Sequence, residues 1–181
     1  RHLLARYAAF PVTLILCGES RLTWYLDRPR DDAHRGQLAR TQVAGWSDVA
    51  RYLRVHNAFA RPLTVHPGPA VWGHDIPPLT DPALTDFTLL QPGHSDEDAV
   101  ARSMSMRRSE LASHPAKPVM IGECAWEGMH GASGPKTQRQ LFWTQLLSGA
   151  PGHSYGSDAL WQMNSRRNGL FGPSPHGFTW G

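Results

Sequence analysis

Two glutamates occupy equivalent places in two similar stretches of the chain. Glu123 follows an apolar run and a glycine in KPVMIGECAWEG, and Glu19 does the same in PVTLILCGES. A carboxylate directly after a buried strand is costly unless it is paired or lies in a cleft. Two carboxylates across one cleft can cleave a glycosidic bond, with one protonating the leaving oxygen and the other attacking the anomeric carbon or activating water. We therefore treat Glu19 and Glu123 as the candidate catalytic pair.

Further polar and aromatic side chains are predicted at or just past the ends of strands. Histidine and glutamine can hydrogen-bond sugar hydroxyls, and aromatic rings offer flat faces on which sugars pack. The polar candidates are His66, Gln91, His94 and His153. The aromatic candidates are Trp24, Tyr25, Trp126, Tyr155 and Trp161.

The elements that must position these residues alternate between strand and helix. Unbroken apolar runs, typical of strands buried on both faces, predict strands at 12–17, 63–68, 86–95 and 118–122, and a fifth within 152–162. Helical spacing of apolar residues and capping patterns predict helices at 41–60, 95–113 and 137–148, after a helix tail at 1–10. The arginine- and aspartate-rich segment 27–40 is predicted to be a long loop. This order is typical of a parallel α/β architecture.

The spacing of the strands favours a (β/α)8 TIM barrel over a smaller fold. Three strand-to-strand units separate the two glutamates at roughly 35 residues each, close to the spacing in such barrels. Five strands cannot close a barrel, so we expect residues 1–181 to be a fragment of one catalytic barrel, strands four to eight, without the N-terminal strands and the last helix. A complete five-stranded doubly wound sheet is the alternative, although no phosphate-binding glycine loop follows any strand. In both folds, the C-terminal strand ends form the functional face.

Composition argues against several other classes of protein. The 18 basic and 15 acidic residues give a net charge of +3 and are dispersed, whereas a nucleic-acid-binding surface needs clustered basic residues. No apolar run approaches the roughly 20 residues that span a bilayer. The two cysteines are too few for a disulfide framework. We expect neither a nucleic acid nor a membrane as partner.

Three longer stretches resemble one known family. ARYAAFPVTLILCGES, KPVMIGECAWEG and LFWTQLLSGAPGHSYGSDALWQ are similar to the apiosidase-like (β/α)8-barrel glycoside hydrolases. The resemblance covers most of the chain and is weakest at 27–40; its most specific parts are LLSGAPGHSYG and IGECAWEG.

The resemblance implies roles for individual residues. Glu19, after strand four, corresponds to the acid/base, and Glu123, after strand seven, corresponds to the nucleophile of a retaining mechanism. Related barrel glycosidases usually have asparagine just before the acid/base, where this chain has Gly18. Glu127 is assigned a supporting role, as a loop acid that orients a neighbouring side chain. Roles in contacting the sugar are implied for His66, Gln91, His94, His153, Tyr155 and Trp161.

The resemblance also implies a substrate class and partners. The expected substrate is a carbohydrate of the plant type, such as a pectin-like glycan or glycoside, and no cofactor or metal is expected. Family members often carry a further C-terminal β domain. Cellular location is left open, with a bacterial-type secreted or periplasmic location as the candidate.

The same residues allow two other interpretations. Metal-dependent hydrolase barrels bind ions with histidines after strands five and six and an aspartate after strand eight, for which His66, His94 and Asp158 are candidates. That interpretation gives Glu123 no role. The second interpretation is that the barrel binds carbohydrate without cleaving it, because an aromatic-lined mouth can serve binding as well as hydrolysis.

Overall fold

Helices and strands alternate along the chain, as predicted. The computed structural model describes residues 1–20, 31–68, 78–94, 98–129 and 132–157. The elements in order are α1 (His2–Tyr7), β1 (Leu14–Ile15), α2 (Asp32–His56), β2 (Leu63–Thr64), a 3-10 helix (Pro82–Leu84), β3 (Thr88–Leu90), α3 (Ala99–Ser113), β4 (Val119–Ile121) and α4 (Pro135–Leu147). The content is α/β. The chain divides into two compact units, Arg1–Leu89 and Leu90–Gly181.

The first unit is built on a parallel pair of strands joined by a helix. β1 pairs with β2 in parallel, with Leu14 opposite Leu63 and Ile15 opposite Thr64. A parallel pair requires a crossover connection, which α2 supplies. The Leu16 N–H donates to the Thr64 carbonyl over 3.0 Å and continues the ladder past β1. The predicted strand–helix–strand order is confirmed here, with strands shorter than predicted.

The long helix of this unit begins nine residues before the predicted start. α2 runs over Asp32–His56, so most of the segment predicted as a loop is helical. Asp31 is the N-cap, and its carboxylate accepts the His34 N–H over 2.7 Å. An N-cap aspartate satisfies a backbone donor that the first turn would otherwise leave open. The helix ends at His56, and the side chain of the C-cap residue Asn57 exchanges two hydrogen bonds with the Arg61 backbone.

The core of the first unit lies between α2 and its strands. Ala50 and Leu63 are fully buried, and Leu14 and Trp46 pack against the same cluster. Asp86 fixes the edge of β2, because its carboxylate accepts the Leu63 N–H over 2.7 Å. This bond holds the amino end of β2, while the bond from the Leu16 N–H to the Thr64 carbonyl joins the carboxyl ends of β1 and β2, from which Glu19 and His66 follow.

A second strand–helix–strand arrangement runs from β3 through α3 to β4. β3 and β4 form a second two-stranded sheet, and the Gly122 N–H donates to the Leu90 carbonyl over 2.9 Å. Past the strands, Gly93 and Cys124 form a parallel bridge, and the Ala125 N–H donates to the Gly93 carbonyl over 3.1 Å. The two segments that follow β3 and β4 are thus held side by side.

The second core packs α3 and α4 against β4. Ile121, Ala125 and Leu141 are buried in one cluster. Arg107 of α3 is 5% exposed, and its guanidinium donates to the carbonyls of Val119 and Ser148 over 3.2 and 2.8 Å. A single buried cation therefore links α3 to β4 and to the residue that caps α4.

The predicted fifth strand is present only as a bridge within the described residues. Glu127 and Ser157 form an isolated parallel bridge, residues 152–156 form no strand, and residues 158–162 lie outside the described ranges. In those ranges the strands are paired two by two, so closure into a barrel stays a prediction. Among the described helices, none has an apolar stretch long enough to cross a bilayer.

Candidate functional site

Glu123 stands two residues beyond β4 with most of its side chain buried. Only 14% of the side chain is exposed. Its neighbours Cys124 and Ala125 are core residues, and Ala125 adopts a left-handed backbone with a φ of 42°. Backbone in this region is strained for a residue with a Cβ and occurs often at functional sites. The chain therefore turns sharply beside a carboxylate that it keeps mostly out of water.

His94 meets Glu123 from the segment that follows β3. Its Nε2 lies 2.9 Å from Glu123 Oε1, and its side chain is 17% exposed. On the other side of the ring, Nδ1 accepts the Trp126 backbone N–H over 3.3 Å. The structure thus places His94 against the carboxylate, whereas the resemblance implied contact with a sugar.

Trp126 is held against both His94 and the segment that carries Gly156. Its ring meets the His94 imidazole edge to face, with centroids 5.2 Å apart and an interplanar angle of 74°. A Cβ on Gly156 would lie 2.4 Å from Trp126 Cδ1, far inside van der Waals contact. Glycine at position 156 therefore allows the indole to lie directly on the backbone.

Glu127 and Tyr155 form a second pair near Trp126. The Tyr155 hydroxyl donates to Glu127 Oε2 over 2.7 Å. The Glu127 N–H donates to the Gly156 carbonyl over 2.9 Å, so the backbones are joined as well. The hydrogen bond to Glu127 raises the pKa of Tyr155 above its usual value, with smaller contributions from burial and from the Glu127 charge. Tyr155 is still 51% exposed and can contact a ligand from solvent.

Gln91 and His153 occupy less exposed positions in the same unit. Gln91 directly follows β3 and is 2% exposed. His153 packs edge to face on Phe142, with ring centroids 5.6 Å apart. Burial lowers the pKa of His153 and so favours its neutral form.

Glu19 and His66 belong to the first unit and follow its paired strands. The half-buried Glu19 has a left-handed backbone, with a φ of 49°. The next residue, Ser20, is buried and donates its N–H to the His66 carbonyl over 2.9 Å. Both proposed catalytic carboxylates thus lie in tightly turned segments beyond a parallel strand.

The sequence motifs contain most of these residues but do not reveal the contacts between them. The partners in both acid pairs are far apart in sequence, so no local pattern joins them. The roles of the Trp126 main chain and of Gly156 were missed, although the letters W and G were visible in the motifs. Several candidates lie outside the described residues: Trp24, Tyr25, Asp158 and Trp161.

The arrangement supplies an oriented carboxylate and nearby groups that can bind hydroxyls. A partly buried carboxylate with a fixed hydrogen-bond donor can act as a nucleophile or a base. Among the described residues, no three histidine, cysteine or acidic side chains are grouped so that they could hold a metal ion.

Comparison with known proteins connects this geometry to a family. The model of the apiosidase-like catalytic domain matches residues 1–180. A search of curated proteins gives no significant match. The description of the matched domain indicates a glycoside hydrolase-like function. Because the match spans nearly the whole sequence, the chain belongs to the apiosidase-like family of catalytic domains.

Proposed function

We propose that the protein is a retaining glycoside hydrolase that cleaves O-glycosidic bonds in plant-type, pectin-like glycans or glycosides, with Glu123 as nucleophile and Glu19 as acid/base. The observation that carries the proposal is the carboxylate of Glu123, which is mostly buried, follows β4 and is hydrogen-bonded to His94. Membership of a family of catalytic domains supports a hydrolytic role for it. Both acids follow strands that are paired in parallel, as expected for the functional face of a (β/α)8 barrel.

The reaction takes two displacements at the anomeric carbon. In the first, a Glu123 oxygen bonds to that carbon while the glycosidic bond breaks and Glu19 gives its proton to the leaving oxygen. In the second, Glu19 takes a proton from water, the water oxygen bonds to the anomeric carbon, and the Glu123 carboxylate leaves. The two steps return both acids to their starting protonation states and retain the anomeric configuration.

Substitution of each acid tests the proposal. Glu123→Gln and Glu19→Gln keep the side-chain shape and remove the nucleophile and the proton donor. We expect Glu123→Gln to abolish hydrolysis of pectic oligosaccharides and aryl glycosides, and Glu19→Gln to reduce it by roughly 10²- to 10⁴-fold. Glu110→Gln, a change on α3 at an acid paired with His114, is the matched control and should be fully active. Full activity of Glu123→Gln would refute the nucleophile assignment, and binding without turnover by the wild type would favour a carbohydrate-binding protein.

The stereochemical course is tested separately. We expect NMR of the first-formed product to show the anomer of the substrate, and a fluorinated sugar to label Glu123. An inverted product, or a label on another residue, would contradict the retaining mechanism with Glu123 as nucleophile.

A further inference from the structure

We propose that His94 is a positioning residue for Glu123, and that the main chain of Trp126 selects the imidazole tautomer which makes this possible. The inference rests on the proposed function in assigning the reaction to Glu123. It replaces the direct contact with sugar that the sequence implied for His94.

The two ring nitrogens of His94 have different partners, and these determine the tautomer. The Trp126 N–H can only donate, so Nδ1, 3.3 Å away, must be the unprotonated nitrogen. The remaining proton of a neutral imidazole is then on Nε2. Nε2–H points at Glu123 Oε1 over 2.9 Å and donates to it.

The Trp126 N–H is held in place by contacts of Trp126 itself and of the next residue. The Trp126 carbonyl accepts the Met129 N–H over 3.1 Å, which closes a turn. The next N–H, from Glu127, donates to the Gly156 carbonyl over 2.9 Å. The indole lies on Gly156 with no room for a Cβ. A backbone donor fixed in this way orients the ring of His94, just as a hydrogen-bond partner on the second ring nitrogen orients a metal-ligating histidine.

Burial makes this hydrogen bond effective. The side chains of His94 and Glu123 are 17% and 14% exposed, so water competes weakly for the carboxylate oxygen. Hydrogen bonds to an ionised acceptor are stronger than neutral ones, and low local dielectric strengthens them further. The donor therefore restricts rotation of the carboxylate before the substrate arrives, which lowers the entropic cost of attack.

The same hydrogen bond also affects the second chemical step. When the bond between the anomeric carbon and Glu123 breaks, its electron pair returns to the carboxylate while water supplies the new oxygen and gives its proton to Glu19. A donor aimed at Oε1 stabilises the carboxylate that leaves. Loss of the donor should therefore lower kcat more than it changes KM.

The tautomer can be measured without any assay of activity. In ¹⁵N NMR spectra of the wild-type protein labelled at histidine, we expect one imidazole with a protonated Nε2 and an unprotonated Nδ1, and its Nε2 signal should shift in Glu123→Gln. Spectra of His94→Gln assign that imidazole by its disappearance. A His94 imidazole protonated at Nδ1 would overturn the proposal.

Three substitutions separate positioning from sugar binding. His94→Gln places an amide N–H near the position of Nε2, His94→Asn is too short to place one there, and His94→Phe keeps the ring without a donor. We expect roughly 10- to 100-fold lower kcat for His94→Asn and His94→Phe, substantial recovery in His94→Gln, and small changes in KM. His114→Gln on the surface is the control and should match the wild type.

The outcomes distinguish this inference from the proposed function. If Glu123→Gln is inactive while His94→Phe keeps wild-type kcat, the positioning role fails and the hydrolase assignment stands. If the main effect of all three His94 substitutions is on KM, His94 is a sugar contact and the inference is wrong. If Glu123→Gln is fully active, the proposed function fails, whereas the tautomer measurement still tests the contact between His94 and Glu123.

Discussion

At the scale of single residues, two acids of the second unit each have a specific donor. Glu123 accepts from the imidazole of His94, and Glu127 accepts from the phenol of Tyr155. The two donors differ in how much of each side chain is exposed to water. His94 is mostly buried, while half of Tyr155 is exposed, so the first pair suits a fixed geometry and the second suits exchange with a ligand hydroxyl.

The hydrogen bond between Tyr155 and Glu127 predicts that Tyr155 loses its proton at a higher pH than an ordinary tyrosine. Glu127→Ala removes the acceptor and its charge, so the pKa of Tyr155 should fall toward its usual value. Because the folded-state pKa lies above the unfolded value of about 10, the stability contributed by the neutral phenol is present below that pH and is lost as the pH rises through the folded pKa. Ultraviolet titration of the tyrosines, with Tyr155→Phe as the assignment control, measures the change. An unchanged titration in Glu127→Ala would refute the contact.

Substitution of Gly156 is expected to affect His94 and Glu123 indirectly, through Trp126. A methyl group at Gly156 collides with the Trp126 indole, so Gly156→Ala must displace the residue that orients His94. We expect a loss of about 1–3 kcal/mol in the free energy of unfolding and a fall in kcat.

Gly152→Ala is the matched control for this change. It lies in the same segment, and its new methyl would meet Met120 at ordinary contact distances, 3.5 Å from Sδ and 3.9 Å from Cε. Thermal unfolding and steady-state kinetics of both variants compare the effects. Equal behaviour of the two variants would show that the close approach of Trp126 does not matter.

At the scale of elements, the sequence predicted the alternation of helices and strands better than their ends. The apolar runs marked all four strands of the described residues, but only two or three residues of each run pair. Strand length depends on which neighbour supplies the next hydrogen bond, and that is set by tertiary structure. The start of α2 was missed because charged residues in its first turns conceal the helical period, although Asp31 is a recognisable cap.

Loss of the Arg107 guanidinium, inside α3, is expected to lower the stability of the protein substantially. Arg107→Met fills similar space but leaves the carbonyls of Val119 and Ser148 without their charged donor. We expect a loss of about 3 kcal/mol in the free energy of unfolding, from denaturant titration. Arg108→Met, at the exposed neighbouring position, should change stability little. A similar small loss in Arg107→Met would mean that water replaces the guanidinium.

At the scale of the whole molecule, each of the two units has its own core and one of the two proposed catalytic glutamates. The parallel α/β class was predictable because alternating elements with unbroken apolar strands have few other solutions. The division into units was not predictable, since no linker-like composition marks position 89 or 90.

The two cysteines give each unit a natural chemical reporter. Cys17 lies in the first unit and Cys124 in the second, and burial raises the pKa of both thiols, that of Cys17 to about 12. The thiol of Cys17 is therefore almost entirely protonated at pH 8, whereas the thiolate is the form that reacts with alkylating agents. We expect iodoacetamide to label the native protein slowly and the denatured protein fast, with peptide mass spectrometry assigning each label. Fast labelling of native Cys124 would contradict the burial of its thiol. The rate at Cys124 therefore reports how often the structure around it opens, and the rate at the half-buried Cys17 reports local access to its thiol, both without any introduced probe.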